Sequence, residues 1–110
     1  MALGMIEVYG FATSIVVADK MAKTADVEIV AIDKNKPANA DSAEVPLVMV
    51  VKFEGSVSAV ESAVAAGKRE AEARGMFIAE RVISRQSEEI EWFAHLDATG
   101  KDKLRTPKHK

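Results

Sequence analysis

Residues 45–75 read VPLVMVVKFEGSVSAVESAVAAGKREAEARG, and this stretch decides the fold. Val45 to Phe53 is apolar at both alternating positions over most of its length. A strand of that kind is covered on both faces, by a helix on one side and by another element on the other. Gly55 breaks it. Ser56 and Ser58 both offer helix caps, and Ser58 with Glu61 has the capping-box spacing. The helix then runs to Arg74. Its inward stripe is Val57, Val60, Val64, Gly67 and Ala71, and Ala63 with Gly67 lets it lie close to a sheet. Gly75 stands where a left-handed residue ends a helix.

The pattern repeats on the N-terminal side. Ala2 to Tyr9 is a short β-compatible run closed by Gly10. Phe11 to Ala25 carries Ile15, Ala18, Ala22 and Ala25 on one helix face, with Lys20 and Lys23 near the C-terminal end, where cations suit the helix dipole. Val27 to Ile32 is rich in β-branched residues and reads as a strand, and Lys34 to Glu44 reads as a long loop. After Gly75, Phe77 to Ser84 makes a fourth strand. Glu88 to Leu96 makes a short third helix with Ile90, Trp92, Phe93 and Leu96 apolar. The order is β-α-β-β-α-β, an α+β ferredoxin-like core: a four-stranded antiparallel sheet with two helices on one face, plus a short C-terminal helix. The other sheet face stays open except where Trp92 and Phe93 cover it, or where another subunit does.

Composition bounds the function. The 110 residues suit one domain, and 48% hydrophobic with 29% charged is a globular balance. Fifteen basic against seventeen acidic residues give a net charge of −2, which argues against a nucleic-acid binder. No cysteine is present, which excludes disulfides, thiolate metal sites and cysteine nucleophiles. The longest apolar run, Val45 to Val51, contains Pro46 and is far short of a membrane span. The N-terminus lacks the pattern of a secretory signal, so the expected compartment is the cytoplasm. Charge is uneven. Residues 97–110 hold Lys101, Lys103, Arg105, Lys108 and Lys110 against Asp97 and Asp102, a net of +3, and the rest of the chain nets −5. The expected organisation is a single domain over residues 1–96 and a flexible basic tail over 97–110.

Catalytic patterns are missing. The six glycines form no phosphate-cradling cluster, so no P-loop or dinucleotide fingerprint exists. His95 and His109 stand outside any triad context, and His95 reads as a surface or interface histidine. Glu7, Asp19 and Asp33 are isolated carboxylates, each read as solvated or salt-bridged. Lys68, Arg69, Glu70 and Glu72 form a wet outer face with pairs at neighbouring turns. No metal site or cofactor is expected, and no enzymatic activity. The residues alone give a binding or assembly module.

Several segments taken in order go further: Ala2 to Glu7 leading to Gly10-Phe11; Ala18-Asp19-Lys20-Met21-Ala22-Lys23-Thr24-Ala25 before the strand Val27 to Lys34; Ser58-Ala59-Val60 with Ala65-Ala66-Gly67; and Val82-Ile83-Ser84-Arg85. Together, over about residues 2–34 and 48–86, they resemble the single-domain, hexamer-forming shell proteins of bacterial microcompartments. The resemblance implies a structural role. Such proteins form cyclic hexamers that tile edge to edge into a layer enclosing enzymes, and the hole on the six-fold axis passes small polar metabolites. It implies as partners a homo-hexamer, other shell proteins and encapsulated enzymes, with no nucleic acid and no membrane. Lys23 matches the lysine at the hexamer–hexamer edge, Arg85 the arginine that reaches into the neighbouring hexamer, and Asp26 a polar edge residue that helps hold the lysine. The pore-lining loop falls on Lys34, Asn35, Lys36, Pro37, Ala38, Asn39, Ala40 and Asp41.

The chain departs from that family at three places. Asn35 to Glu44 is longer than the usual pore loop and has no glycine. Ser84 stands where proline is common, and the basic C-terminal stretch is unusual. Two rival readings share the fold: a trimeric, nucleotide-sensing regulatory protein with a long loop between its middle strands, and a dimeric enzyme with a closed pocket on the sheet face.

Overall fold

A computed structural model describes residues 1–35 and 47–96. The elements are β1 (Ala2–Tyr9), α1 (Phe11–Thr24), β2 (Val27–Asn35), β3 (Val48–Gly55), α2 (Val57–Ala73) and β4 (Phe77–Ile83), followed by a 3-10 turn (Glu88–Ile90) and the short helix α3 (Glu91–Ala94). The strands form one antiparallel sheet in the order β2-β3-β1-β4. This is the β-α-β-β-α-β core read from the sequence. The described part of β3 starts three residues later than expected, and Val45 and Pro46 lie outside the described residues. Strand β2 differs more, because it continues through Lys34 to Asn35, where a loop was expected: both residues pair with β3, opposite Met49 and Val48.

Alternation sorts the strand side chains. Ile6, Val8, Met49, Val51 and Phe53 turn toward the helices and join Val17, Met21, Val60, Ala63 and Val64 in the core. Full burial of a side chain such as Phe53 or Ile6 contributes about 1.5–3 kcal/mol. Strand β3 is buried along nearly its whole length, as its two-sided apolar pattern requires.

Helix α2 meets the sheet closely. A Cβ at Gly67 would stand 2.7 Å from Met21 Sδ and 2.9 Å from Ile6 Cδ1, so no larger residue fits there without displacing both. Val60, Val64, Gly67 and Ala71 are buried as the stripe predicts, whereas Val57, in the first turn, is exposed. The cap is Ser56, whose hydroxyl accepts from the Ala59 N–H at 3.1 Å; Ser58 lies inside the helix, so the Ser58–Glu61 capping box does not form. The other end closes as expected. Gly75 has φ of +69°, its N–H donates to Glu72 O, and the Met76 N–H donates to Ala71 O, the paired bonds of a Schellman motif. On the outer face Arg74 pairs with Glu70 one turn away, while Lys68 reaches across to Glu80 of β4 at 3.2 Å.

Helix α1 is rotated from the sequence reading. Its buried face is Ser14, Val17, Ala18 and Met21, and of the expected stripe Ile15 and Ala22 are exposed. Val17 and Met21, both fully buried, set the inward face, and it is shared by Ser14. Its hydroxyl donates to Phe11 O within the same helix, so it enters the core with its hydrogen-bonding need met. Ile15 is thereby turned out at 44% exposure, on the same side as Phe11. Gly67→Val is expected to lower stability by about 1–3 kcal/mol through overpacking against Met21 and Ile6, measured as a fall in the urea midpoint at unchanged slope.

Candidate functional site

The sheet has two ends, and the sequence-predicted site residues divide between them. At one end Val27 and Ala2 flank Gly55, and Leu3 pairs with Ile83. Lys23 in the last turn of α1, Asp26 just before β2, and Arg85 just after β4 all lie here, and all three are exposed. At the opposite end Asn35 and Tyr9 flank Val48. The stem of the long loop, Lys34 and Asn35, lies there. At about 3.3 Å per residue along β2, roughly 25–30 Å separates the two groups. Lys36, Pro37, Ala38, Asn39, Ala40 and Asp41 fall outside the described residues, as does the tail from 97 to 110.

Lys23 already has a partner within the protomer. Its Nζ lies 2.8 Å from Asp19 Oδ2, one helical turn back. The hydrogen bond and charge of Asp19 hold the ammonium above its usual range, so it stays charged at neutral pH. Both side chains are open to water, and an ion pair of this kind is easily exchanged for another. Arg85 borders a shallow cleft with Glu54, Glu88, Glu91 and His95. The chain leaving β4 is pinned beside it. The Gln86 N–H donates to Met1 O at 3.3 Å, and its side-chain amide donates to the Glu54 carboxylate. His95 is exposed, with Nδ1 3.1 Å from Glu91 O, consistent with a surface histidine. Among the described residues no group of three His, Cys, Asp or Glu side chains is placed to hold a metal ion, and no helix is long and apolar enough to cross a membrane.

The helix-free face carries a feature that the sequence reading missed. Lys52, at the centre of β3, is fully buried there. Its Nζ donates to Phe93 O at 2.7 Å, lies 3.5 Å from Asp33 Oδ2, and sits over the Phe93 ring at 4.1 Å from the centroid. Asp33 is buried too, and its other oxygen, Oδ1, accepts from the Lys34 N–H at 2.8 Å. Asp33 thus takes the salt-bridged form of its expected alternatives. Glu7 flanks Val50 opposite Asp33 on the same face. Phe93 covers part of this face as expected, packed edge to face on Trp92 with centroids 6.2 Å apart. The covering helix is shorter than the span read from the sequence, a 3-10 turn running into the four residues of α3. A signal for Lys52 existed: a lysine inside a strand apolar on both faces has no route to water and must find anions or carbonyls.

The BMC domain family matches residues 2–86. The chain is 35% identical over 89 residues to the bacterial microcompartment shell protein PduK of Citrobacter freundii, covering 81% of this chain and 52% of that protein. It is equally similar to PduK of Salmonella typhimurium, covering 51% of it. The crystal structure of a microcompartment protein from Desulfitobacterium hafniense DCB superposes with a TM-score of 0.68 at 35% identity, over 83% of this chain and 47% of that one. The chain therefore spans about half the length of the relatives it matches.

Lys52→Met alone is expected to lower stability by about 3–5 kcal/mol, because Asp33 keeps its buried charge without the cation. The double change Lys52→Met with Asp33→Leu should recover most of that loss. Urea unfolding of both single variants and the double closes the cycle, and losses that simply add would mean that the two side chains do not interact.

Proposed function

The chain belongs to the bacterial microcompartment (BMC) domain family, and from that premise we propose that it is a shell protomer without enzymatic activity, whose function is self-assembly. In this reading it closes into a cyclic hexamer, and hexamers tile with one another and with other shell proteins into a layer around enzymes in the cytoplasm. Small polar metabolites cross at the six-fold axis. The observation that carries the reading is the family match over residues 2–86, which takes in every strand and both long helices of the described core.

Two features of the protomer support it. Lys23, Asp26 and Arg85 stand at one end of the sheet and the loop stem at the other, as a subunit needs if one end faces its neighbours in a layer and the other the axis. A head-to-tail ring also needs complementary surfaces on each copy. Phe11 and Ile15 of α1 are 44% exposed and Leu47 is 40% exposed, with the Leu47 carbonyl bonded to the Gly10 N–H beside Phe11. An apolar surface of this kind is the sort that a neighbouring copy covers. Residues 34–41 rim the pore in this reading. Six copies of any charge they carry would set the sign of the local potential and select metabolites by charge. The rival reading as a nucleotide-sensing trimer draws no support from these relatives.

Light scattering with negative-stain imaging tests the reading: six-fold rings are expected, and a monomer at high concentration would overturn it. Lys23→Ala is expected to keep the ring and to reduce the extended layer severalfold, because the exposed Asp19 pair contributes little to holding the helix. Layers of undiminished extent in the micrographs would remove Lys23 from the edge.

A further inference from the structure

Two segments far apart in sequence are joined by one polar chain. The Phe93 carbonyl accepts from Lys52 Nζ at 2.7 Å; the same Nζ lies 3.5 Å from Asp33 Oδ2; and Asp33 Oδ1 accepts from the Lys34 N–H at 2.8 Å. The first group belongs to the C-terminal strap, residues 84–96, and the last to the stem from which the long loop leaves β2. The two oxygens of a single carboxylate are thus divided between the cation under the strap and the backbone of the loop stem.

The strap needs this anchor. A 3-10 turn and a four-residue helix do not persist alone in water. The strap supplies no side chain to the core cluster. Among the contacts that hold it are the buried Ala94, the Phe93 ring over the ammonium, the Gln86 bonds to Met1 and Glu54, and the bond from Lys52. Lys52 in turn needs the strap, since a fully buried ammonium must keep its acceptors. If the strap lifts, water reaches Nζ and then Asp33, where it competes for the bond that holds Lys34.

We propose that Lys52 is a positioning residue that couples docking of the C-terminal strap to order in the loop stem at Asp33–Lys34. The coupling lies within one protomer and goes beyond the shell reading; a subunit that never closed into a ring would have it as well. Coupling of this kind is reciprocal, so a change at either end must be felt at the other.

Amide hydrogen exchange on the full chain reads both ends at once, with α2 amides as the reference for global unfolding. Ala94→Asp places a carboxylate at a buried position of the strap and leaves Lys52 and Asp33 unchanged. It is expected to speed exchange in residues 91–96 and at Lys34 by roughly tenfold or more, with α2 unaltered. Asp33→Asn, at the other end, is expected to speed exchange across 91–96 and to shift Trp92 emission to the red. A strap that opens in A94D while Lys34 keeps its protection overturns the proposal, and so does a strap in D33N as protected as in the parent. Should D33N fail to fold, seen as lost α2 protection, the A94D result decides alone.

Discussion

A lysine buried at the centre of the sheet constrains most of what surrounds it. Lys52 projects from β3, an inner strand, onto the helix-free face, where the strap that carries Phe93 closes its ammonium off from water. Desolvating such a charge is costly and is offset only where geometry supplies close acceptors. Here Asp33 comes from β2 and a main-chain carbonyl from the segment after β4. The second of these has a consequence for the chain path. The polypeptide after Ile83 cannot leave the sheet freely; it must turn back over the helix-free face to bring Phe93 O to Nζ. The two sheet faces are therefore stabilised by different physics. One is an apolar layer under α1 and α2, and the other buries a few apolar side chains such as Leu3 and Val48 around a charge held by a short strap.

The apolar layer depends on small residues where α2 crosses the sheet. Gly67 gives its place to Met21 and Ile6, and Gly4 gives its place to the Phe53 ring and Val60. Both glycines bring elements together at distances that any side chain would prevent. Because α1 and α2 each run back along one face, the connections before and after them lie at the two sheet ends. That geometry, rather than any property of the residues themselves, separates Lys23, Asp26 and Arg85 from Lys34 and Asn35.

Much of this was legible in the sequence because periodicity and turn chemistry agreed. The apolar run from Val45 to Phe53, most of the stripe on α2 and Gly75 at its end carry local signals that tertiary packing had no reason to override. The failures have separate causes. On α1, apolar spacing predicts Ile15 on the inward face, but a serine that bonds its own helix can be buried, and Ile15 lies outward. At the end of β2, Lys34 and Asn35 read as loop because they are polar and lead into a stretch without long apolar side chains. They are strand because pairing with β3 fixes the backbone whatever the side chains, and because Asp33 finds Lys52 across the sheet. Of the proposed pore residues, only Lys34 and Asn35 fall within the described chain. At the edge, the match to a family lysine marked Lys23 but gave no hint that Asp19 would pair with it, a contact set simply by the four-residue helical spacing.

The surface pattern of the protomer bears on how it would meet its neighbours. Shell assembly asks two different things of one small fold. The ring must be held firmly, whereas the layer between rings must form, correct its errors and extend. Apolar burial suits the first, being strong and indifferent to small shifts in register. Exposed, exchangeable ion pairs suit the second, since each is weak and only their repetition along an edge accumulates. The described surface divides in that way. Phe11, Ile15 and Leu47 lie where Gly10 turns the chain into α1, and the charged Lys23, Asp26 and Arg85 lie at the far end. A solitary subunit would gain nothing from leaving the first group in water. In a head-to-tail ring, the outward position of Ile15 that a buried Ser14 allows becomes useful, because it gives one side of α1 a neighbour-facing apolar surface without adding a residue.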